Sequence, residues 1–529
     1  MGALLIWILE LEIATSEITN AREAGEHDAR PGRASAAESN ALLTTAPADF
    51  HPDLRAARFT GEADHATTDN DGVTPTVASV SSACIWGKPP RPVITNGNIC
   101  YVTELHEGFR RSSGRQGVYP GTSPEATAMA KSQFSVPRLA RVRKAMEGAV
   151  ERVEVPGVVT LVSRKGETHV DAVGRASVGG EKVRRNTIFR VSSMTKPITA
   201  VAALVLIEDG RLRLDDPVDP LLPELANRTV MRRWDGPLSE TMPASRAITV
   251  RDLLTFRMGF GIPMAMPDST PIQREMTRLK LGQGPPTPWT PPPPDEWIRS
   301  LGTLPLMQHP GEGWAYSTGA DVLGVLIARA SGMPFERFLE ERIFGPLGMV
   351  DTAFEVPSSK MVRFTTAYWT NPMTGTLDVY DDARTGQWSR LPAFPSGAAG
   401  LVSTVDDYLA FAQMLMDGGK AGRERVISRP SVELMTSDQI TPQQKASPTA
   451  FPGFFESHGW GFCVSMATRR EDFASLGTYG WNGGLGSIWR NDPKEGLVAI
   501  LLSNASWASP APPAVCVDFL TAAYQALSD

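Results

Sequence analysis

The stretch "FRVSSMTKPITA", Phe189 to Ala200, sets a serine three residues ahead of a lysine where the chain turns apolar. The run continues "KPITAVAALVLIEDGRLRL", with Ala200, Leu204 and Ile207 spaced to bury one face of a helix and Gly210 placed to end it. Ser193 then lies near a helix N-terminus, where free N–H groups and the helix dipole favour negative charge. Lys196, one turn on, shares its face. Taken alone, the stretch favours a plain helix cap at Ser192 or Ser193 with Lys196 solvated, because a short motif recurs by chance.

Two further stretches decide between these readings. In "PGEGWAYSTGADVLGVLIARASG", Pro310 to Gly332, Tyr316 and Ser317 follow a glycine-rich turn and precede an amphipathic helix. In "YGWNGGLGSIWRNDPKEGLVAILLSN", Tyr479 to Asn504, the run Trp481, Asn482, Gly483, Gly484 leads into a strand, a hairpin turn and a second strand. Their order and setting resemble the serine β-lactamase and penicillin-binding-protein superfamily, with its Ser-x-x-Lys, Tyr-x-Asn or Tyr-Ser-x, and Lys/His/Trp-x-Gly signatures. The resemblance runs from about Phe134 to the C-terminus. It takes in "NTIFRVSSMTKP" from Asn186, "ITVRDLLT" from Ile248, "IFGPLGM" from Ile343 and "GLVSTVDDYLAFAQMLMDGG" from Gly400. Within the superfamily the chain is most similar to the class C β-lactamase branch and its esterase relatives, the family VIII carboxylesterases.

The resemblance implies an α/β (α+β) fold of the β-lactamase/transpeptidase-like type. An antiparallel sheet flanked by helices faces a mainly helical second lobe, with the active site in the cleft between. It implies Ser193 as nucleophile, Lys196 as its proton partner and Tyr316 as general base. The backbone N–H groups of Ser193 and Gly484 would form an oxyanion hole, and Trp481, Asn482, Gly483 and Thr318 would meet substrate. Such a set is chemically sensible. A serine hydroxyl must lose its proton as it attacks, and neither a free tyrosine nor a free lysine is a good base at neutral pH without a neighbour's help. Two N–H donors aimed at a tetrahedral oxyanion contribute a further few kcal/mol.

Departures from the family pattern point to the substrate. Relatives that act on β-lactams usually carry lysine where this chain has Trp481, which offers an apolar surface suited to a neutral ester. Thr318 replaces the asparagine that would bond a lactam or peptide amide, and a site without a required partner discriminates against that substrate. The expected activity is therefore carboxylesterase action on short acyl esters through an acyl-enzyme on Ser193, with weak β-lactam hydrolysis secondary and an alkaline rate optimum. A β-lactamase or a D-amino-acid-specific peptidase or amidase on the same scaffold is the alternative within enzymes. A non-catalytic binding or assembly protein is the alternative outside them, though the intact Ser193, Lys196 and Tyr316 set weighs against it.

Composition excludes other classes. Of 529 residues 42% are hydrophobic and 21% charged, near globular averages, and a net charge of -6 lacks the basic footprint of a nucleic-acid binder. Cys84, Cys100, Cys463 and Cys516 show neither Cys-x-x-Cys nor metal-ligand spacing, and there is no Gly-x-Ser-x-Gly elbow. None of the seven histidines sits in a catalytic motif; His309, before "PGEGW", reads as a turn residue, and His458 opens a strand. No cofactor or metal is implied, and the expected partner is a small-molecule ester.

The apolar "ALLIWIL" near the N-terminus has no preceding basic residue and is too short for a membrane span, so a cytoplasmic protein is expected. Residues 1–132 read as a disordered or loosely structured extension, and 133–529 as the hydrolase domain, with the sheet built from both ends and a helical lobe over about 212–395. Met129, opening "MAKSQFSVPRL", is a candidate natural start, with an ordinary tail as the alternative. The proline-dense "PPTPWTPPPP", Pro285 to Pro294, reads as a stiff extended loop, either a pocket lid or a surface spacer.

Overall fold

The computed structural model describes residues 132–528 except 264–266, 283, 372 and 510. It also describes the backbone of one short hairpin, in which Val93–Thr95 pairs antiparallel with Asn98–Cys100. Apart from that hairpin, the expected loose extension and the candidate start at Met129 lie outside the described residues. So do the side chains of Cys84 and Cys100.

Seven strands form one antiparallel sheet: β1 (Gly157–Arg164), β2 (Glu167–Gly174), β3 (His458–Trp460), β4 (Ser465–Ala467), β5 (Tyr479–Gly483), β6 (Ser487–Asp492) and β7 (Leu497–Ser503). Their order across the sheet is β3-β4-β5-β6-β7-β1-β2, so strands from the two ends of the described region meet where β7 pairs with β1. Both central strands are apolar on both faces, as a sheet covered on each side requires. In β1, Val158 and Val162 point to one face and Val159 and Leu161 to the other; in β7, Leu497, Ala499 and Leu501 alternate with Val498, Ile500 and Leu502.

Five helices matter to the site: α1 (Val136–Glu151), α2 (Thr195–Glu208), α3 (Thr318–Ser331), α4 (Val405–Met416) and α5 (Ala514–Gln525). α1 and α5 pack together on one face of the sheet, around Leu139, Val142, Met146 and Phe519. α1 stops short of Val153, although that residue continues the apolar spacing of Leu139, Val142 and Met146. The helix ends at Glu151, and Val153 follows with φ 59° and is 65% exposed. On the other face lie α2 and α4, where Phe411 and Trp489 are buried in one core. α2 is apolar nearly all round because it is buried on every side, packed against α3 within the core it shares with the sheet.

The region between β2 and β3 supplies the second lobe, with helices at Val250–Leu254, Pro271–Arg278 and Pro294–Thr303 besides α3. Pro294, the last of the proline-dense run, opens a helix, the one helical position where its missing N–H costs nothing. The rest of that run is fastened at Pro286, whose carbonyl accepts from Tyr380 Oη at 2.7 Å, and at Trp289, over which the Arg390 guanidinium stacks at 4.3 Å. Among the described residues no helix is long and apolar enough to cross a membrane.

Candidate active site

Ser193 is the middle residue of a single 3-10 turn, Ser192–Met194, that runs directly into α2. Neither Ser192 nor Ser193 caps the helix with its side chain. Ser192 is held at φ 45°, a left-handed conformation that side chains with a Cβ rarely adopt and that surrounding structure must impose. The sheet imposes it. Ser487 Oγ donates to Val191 O at 3.0 Å, and a Cβ on Gly483 would lie 2.3 Å from that same carbonyl. Gly483 is therefore required where β5 presses on the turn that carries Ser193.

Lys196 is 0% exposed, and its ammonium is satisfied by two acceptors. Nζ donates to Ser193 Oγ at 2.9 Å and to the carbonyl of Ala398 at 2.8 Å. It also lies 4.5 Å from the centre of the Tyr316 ring, within cation–π range. Serine, lysine and tyrosine from two distant stretches of sequence thus meet in one place.

Tyr316 is held from three sides. Its carbonyl accepts from Ile262 N at 2.8 Å, its ring packs edge-on against Phe256 at 5.8 Å, and its Oη accepts from Trp481 Nε1 at 2.9 Å. An indole N–H is a donor only, so the phenol oxygen must be the acceptor and its own proton is left free to point elsewhere. Ser317, directly after, has φ 87°. Both Ser193 and Tyr316 thus adjoin a residue in a strained backbone conformation, a feature that concentrates at functional sites.

Trp481 does not present the open apolar face expected of it. It is 5% exposed, packed edge-on to Trp460 at 4.6 Å, and its polar edge is spent on Tyr316. The apolar wall is supplied instead by Phe451, Phe454 and Phe455, which are half-buried, with Phe451 5.0 Å from the Tyr316 ring. Thr318 is buried as the first residue of α3. Asn482 is half-buried, and its Oδ1 is buried without a hydrogen-bond partner.

β4 pairs with β5 only at Tyr479 and Gly480, so the backbone edge of Trp481 to Gly483 on that side is unpaired in the ladder. Gly484, directly after β5, is exposed, and a side chain there would meet no atom within 4 Å. The two glycines do different work: Gly483 fits tightly beneath Val191, while Gly484 leaves open space. His309 sits in a turn, its Nδ1 accepting from Ser245 N at 3.2 Å. Burial and the nearby Arg490 charge lower the pKa of His458, which stacks on Phe454.

Two groups at the site carry no mark in the motifs: Ala398, whose carbonyl takes the Lys196 ammonium, and Asp321, in the first turn of α3. A lone carboxylate among apolar helix residues was the available signal for the second. Nothing in the sequence signals the first, because a backbone carbonyl has no residue type.

The chain is 37% identical over 358 residues to protein Rv1367c of Mycobacterium tuberculosis, an alignment covering 65% of this chain and 85% of that one. It is 29% identical to esterase EstB of Burkholderia gladioli, over 70% of this chain and 91% of the esterase. Among solved structures it is similar to EstCE1, a hydrolase with promiscuous acyltransferase activity, with a TM-score of 0.59 and 24% identity over 73% of this chain and 98% of that one. The likeness to EstCE1 shows the β-lactamase/transpeptidase-like fold. Residues 142–512 match the Beta-lactamase family, and the chain belongs to that family.

Proposed function

We propose that this protein is a serine carboxylesterase that cleaves short-chain acyl esters through an acyl-enzyme on Ser193, within a hydrolase domain spanning residues 133–529. The observation that carries this reading is the 2.9 Å contact of Lys196 Nζ with Ser193 Oγ, made beneath the ring of Tyr316. Ser193 Oγ attacks the ester carbonyl as its proton passes to Tyr316 Oη, the general base, with the Lys196 cation beside both. The carbonyl oxygen becomes an oxyanion facing the N–H groups of Ser193 and Gly484. Collapse of this intermediate expels the alcohol, which takes up the proton. Water then attacks the acyl-serine and gives its proton to Tyr316, which returns it to Ser193 Oγ as the acid leaves.

An ester is favoured over a lactam because Trp481, where a cation would hold a drug carboxylate, is neutral and directed at Tyr316. The Phe451 to Phe455 wall suits an apolar acyl or alcohol group. The esterase EstB among the relatives supports the same class. An alcohol in place of water would make the reaction an acyl transfer, the second activity named for EstCE1.

The test is the ratio of kcat/KM for p-nitrophenyl butyrate to that for nitrocefin, with Ser193→Ala as blank. A ratio well above one that disappears in the variant is expected. A ratio below one would replace the esterase by a β-lactamase, and wild-type rates in Ser193→Ala would remove the nucleophile.

A further inference from the structure

Lys196 is oriented by a carbonyl that belongs to neither of the helices bearing the proposed catalytic groups. Ala398 lies in the loop Ser396 to Gly400, and that loop is pinned from both sides. From α2, Thr199 Oγ1 donates to Gly397 O at 2.7 Å, beside the Lys196 bond to Ala398 O at 2.8 Å. From α3, Asp321 Oδ1 accepts both the Ser396 hydroxyl at 2.6 Å and the Ala398 N–H at 3.1 Å. The Ser396 hydroxyl in turn accepts from the N–H groups of Ala398 and Ala399, at 3.2 and 3.1 Å. Gly397 has no room for a side chain, since a Cβ there would stand 2.4 Å from the carbonyl of Ala320.

We infer that Asp321 is a positioning residue for Lys196, acting through Ser396: it holds the Ser396 hydroxyl, which takes the Ala399 N–H, and that N–H lies in the same peptide plane as the Ala398 carbonyl facing the ammonium. This rests on the proposed roles of Ser193 and Lys196. The relay runs from Asp321 through Ser396 Oγ and the Ala398–Ala399 peptide to Lys196 and Ser193 without a gap longer than 3.1 Å, and the Asp321 bond to Ala398 N steadies the preceding peptide. Charge supports it as well. Burial raises the Asp321 pKa, and the Ser396 hydroxyl, the Lys196 cation and the Ala398 N–H oppose that rise. Thr318, one turn earlier on α3, brings no amide to the ammonium, and of the two it is Asp321 that reaches the loop facing Lys196.

Two variants and two readouts test the inference. Asp321→Ala removes the acceptor, and kcat for p-nitrophenyl butyrate is expected to fall by about tenfold or more with KM within about twofold, as small misplacements of reacting groups do. Asp321→Asn keeps an oxygen at the same place and should recover most of that loss. Wild-type kcat in Asp321→Ala, a loss confined to KM, or no recovery in Asp321→Asn would overturn the inference. Should Asp321→Ala fail to fold, Ser396→Ala reads the same loop: a fall in kcat supports the inference and an unchanged kcat overturns it.

Hydrogen exchange at Ala398 reads the loop without turnover, and Asp321→Ala should speed it while leaving the rest of α3 protected. Fluorophosphonate labelling of the wild type separates the two proposals. A wild-type protein that is not labelled, with loop exchange faster in the variant, would overturn the esterase reading and uphold the role of Asp321 in the loop. A labelled wild type with unchanged exchange and kcat in the variant would overturn the inference alone.

Discussion

Trp481 Nε1 donates a hydrogen bond of 2.9 Å to Tyr316 Oη, joining the sheet to the second lobe at the proposed base. Trp481→Phe keeps the ring among Trp460 and Phe454 and removes only the donor. The expected outcome is a fall in kcat/KM for p-nitrophenyl butyrate of about tenfold, equivalent to about 1.4 kcal/mol. Steady-state kinetics check it, and an unchanged value would mean that the hydrogen bond only packs the ring.

Gly483→Ala places a methyl group 2.3 Å from Val191 O and 2.2 Å from Ser487 Oγ, so strand and turn must separate. The variant should lose about 1–3 kcal/mol of stability, the usual cost of overpacking. It should also lose activity, because the displaced turn carries Ser193. Gly484→Ala, which meets no atom within 4 Å, should keep its Tm. Thermal denaturation of the two side by side gives the contrast.

Arg190 and Asp381 form a buried ion pair whose guanidinium is packed between Phe364 and Trp388, at 4.1 and 4.9 Å from their ring centres. Asp381→Asn leaves that cation in the interior without its counter-charge, at an expected cost of about 3–5 kcal/mol. The midpoint of urea unfolding measures it, and a shift within error would show that the Thr365 carbonyl, at 2.6 Å, satisfies Arg190 alone.

Asp351 accepts two hydrogen bonds from Arg363, at 2.6 and 2.7 Å, and one ion-pair contact from Lys360 at 2.9 Å. The Arg363 bond, with Lys360 behind it, holds its pKa below the ordinary value. A carboxyl depressed in the fold adds stability above its unfolded pKa and loses it as pH falls through the folded one. Asp351→Asn should therefore have a lower Tm than the wild type at neutral pH, with the gap closing below about pH 4. A gap independent of pH would contradict the assignment.

The local elements were legible because each reduces to a short-range rule. Ala200, Leu204 and Ile207 marked α2 by spacing, Gly210 marked its end, and the unbroken apolar run of β7 marked a strand covered on both faces. Ser193, Lys196 and Tyr316 were legible by resemblance, and the fold brings them into contact. What stayed hidden depends on pairs far apart in sequence. No pattern in "WNGG" tells that Trp481 turns its N–H to Tyr316 rather than its ring to the cleft. Nothing in Ala398 shows that its carbonyl meets an ammonium 202 residues away. The end of α1 is hidden for a different reason: Val153 continues the helical spacing by residue type, but the chain has already turned out to solvent there.

The sealed position of Lys196 has one more consequence. An amine 2.9 Å from the oxygen that carries an acyl group is well placed to capture it as an amide, a dead end from which water could not rescue the enzyme. An ammonium has no lone pair to offer, and two of its three N–H bonds point at Ser193 Oγ and Ala398 O under cover of the Tyr316 ring. The same contacts that hold the cation beside Ser193 therefore protect the protein from acylating itself.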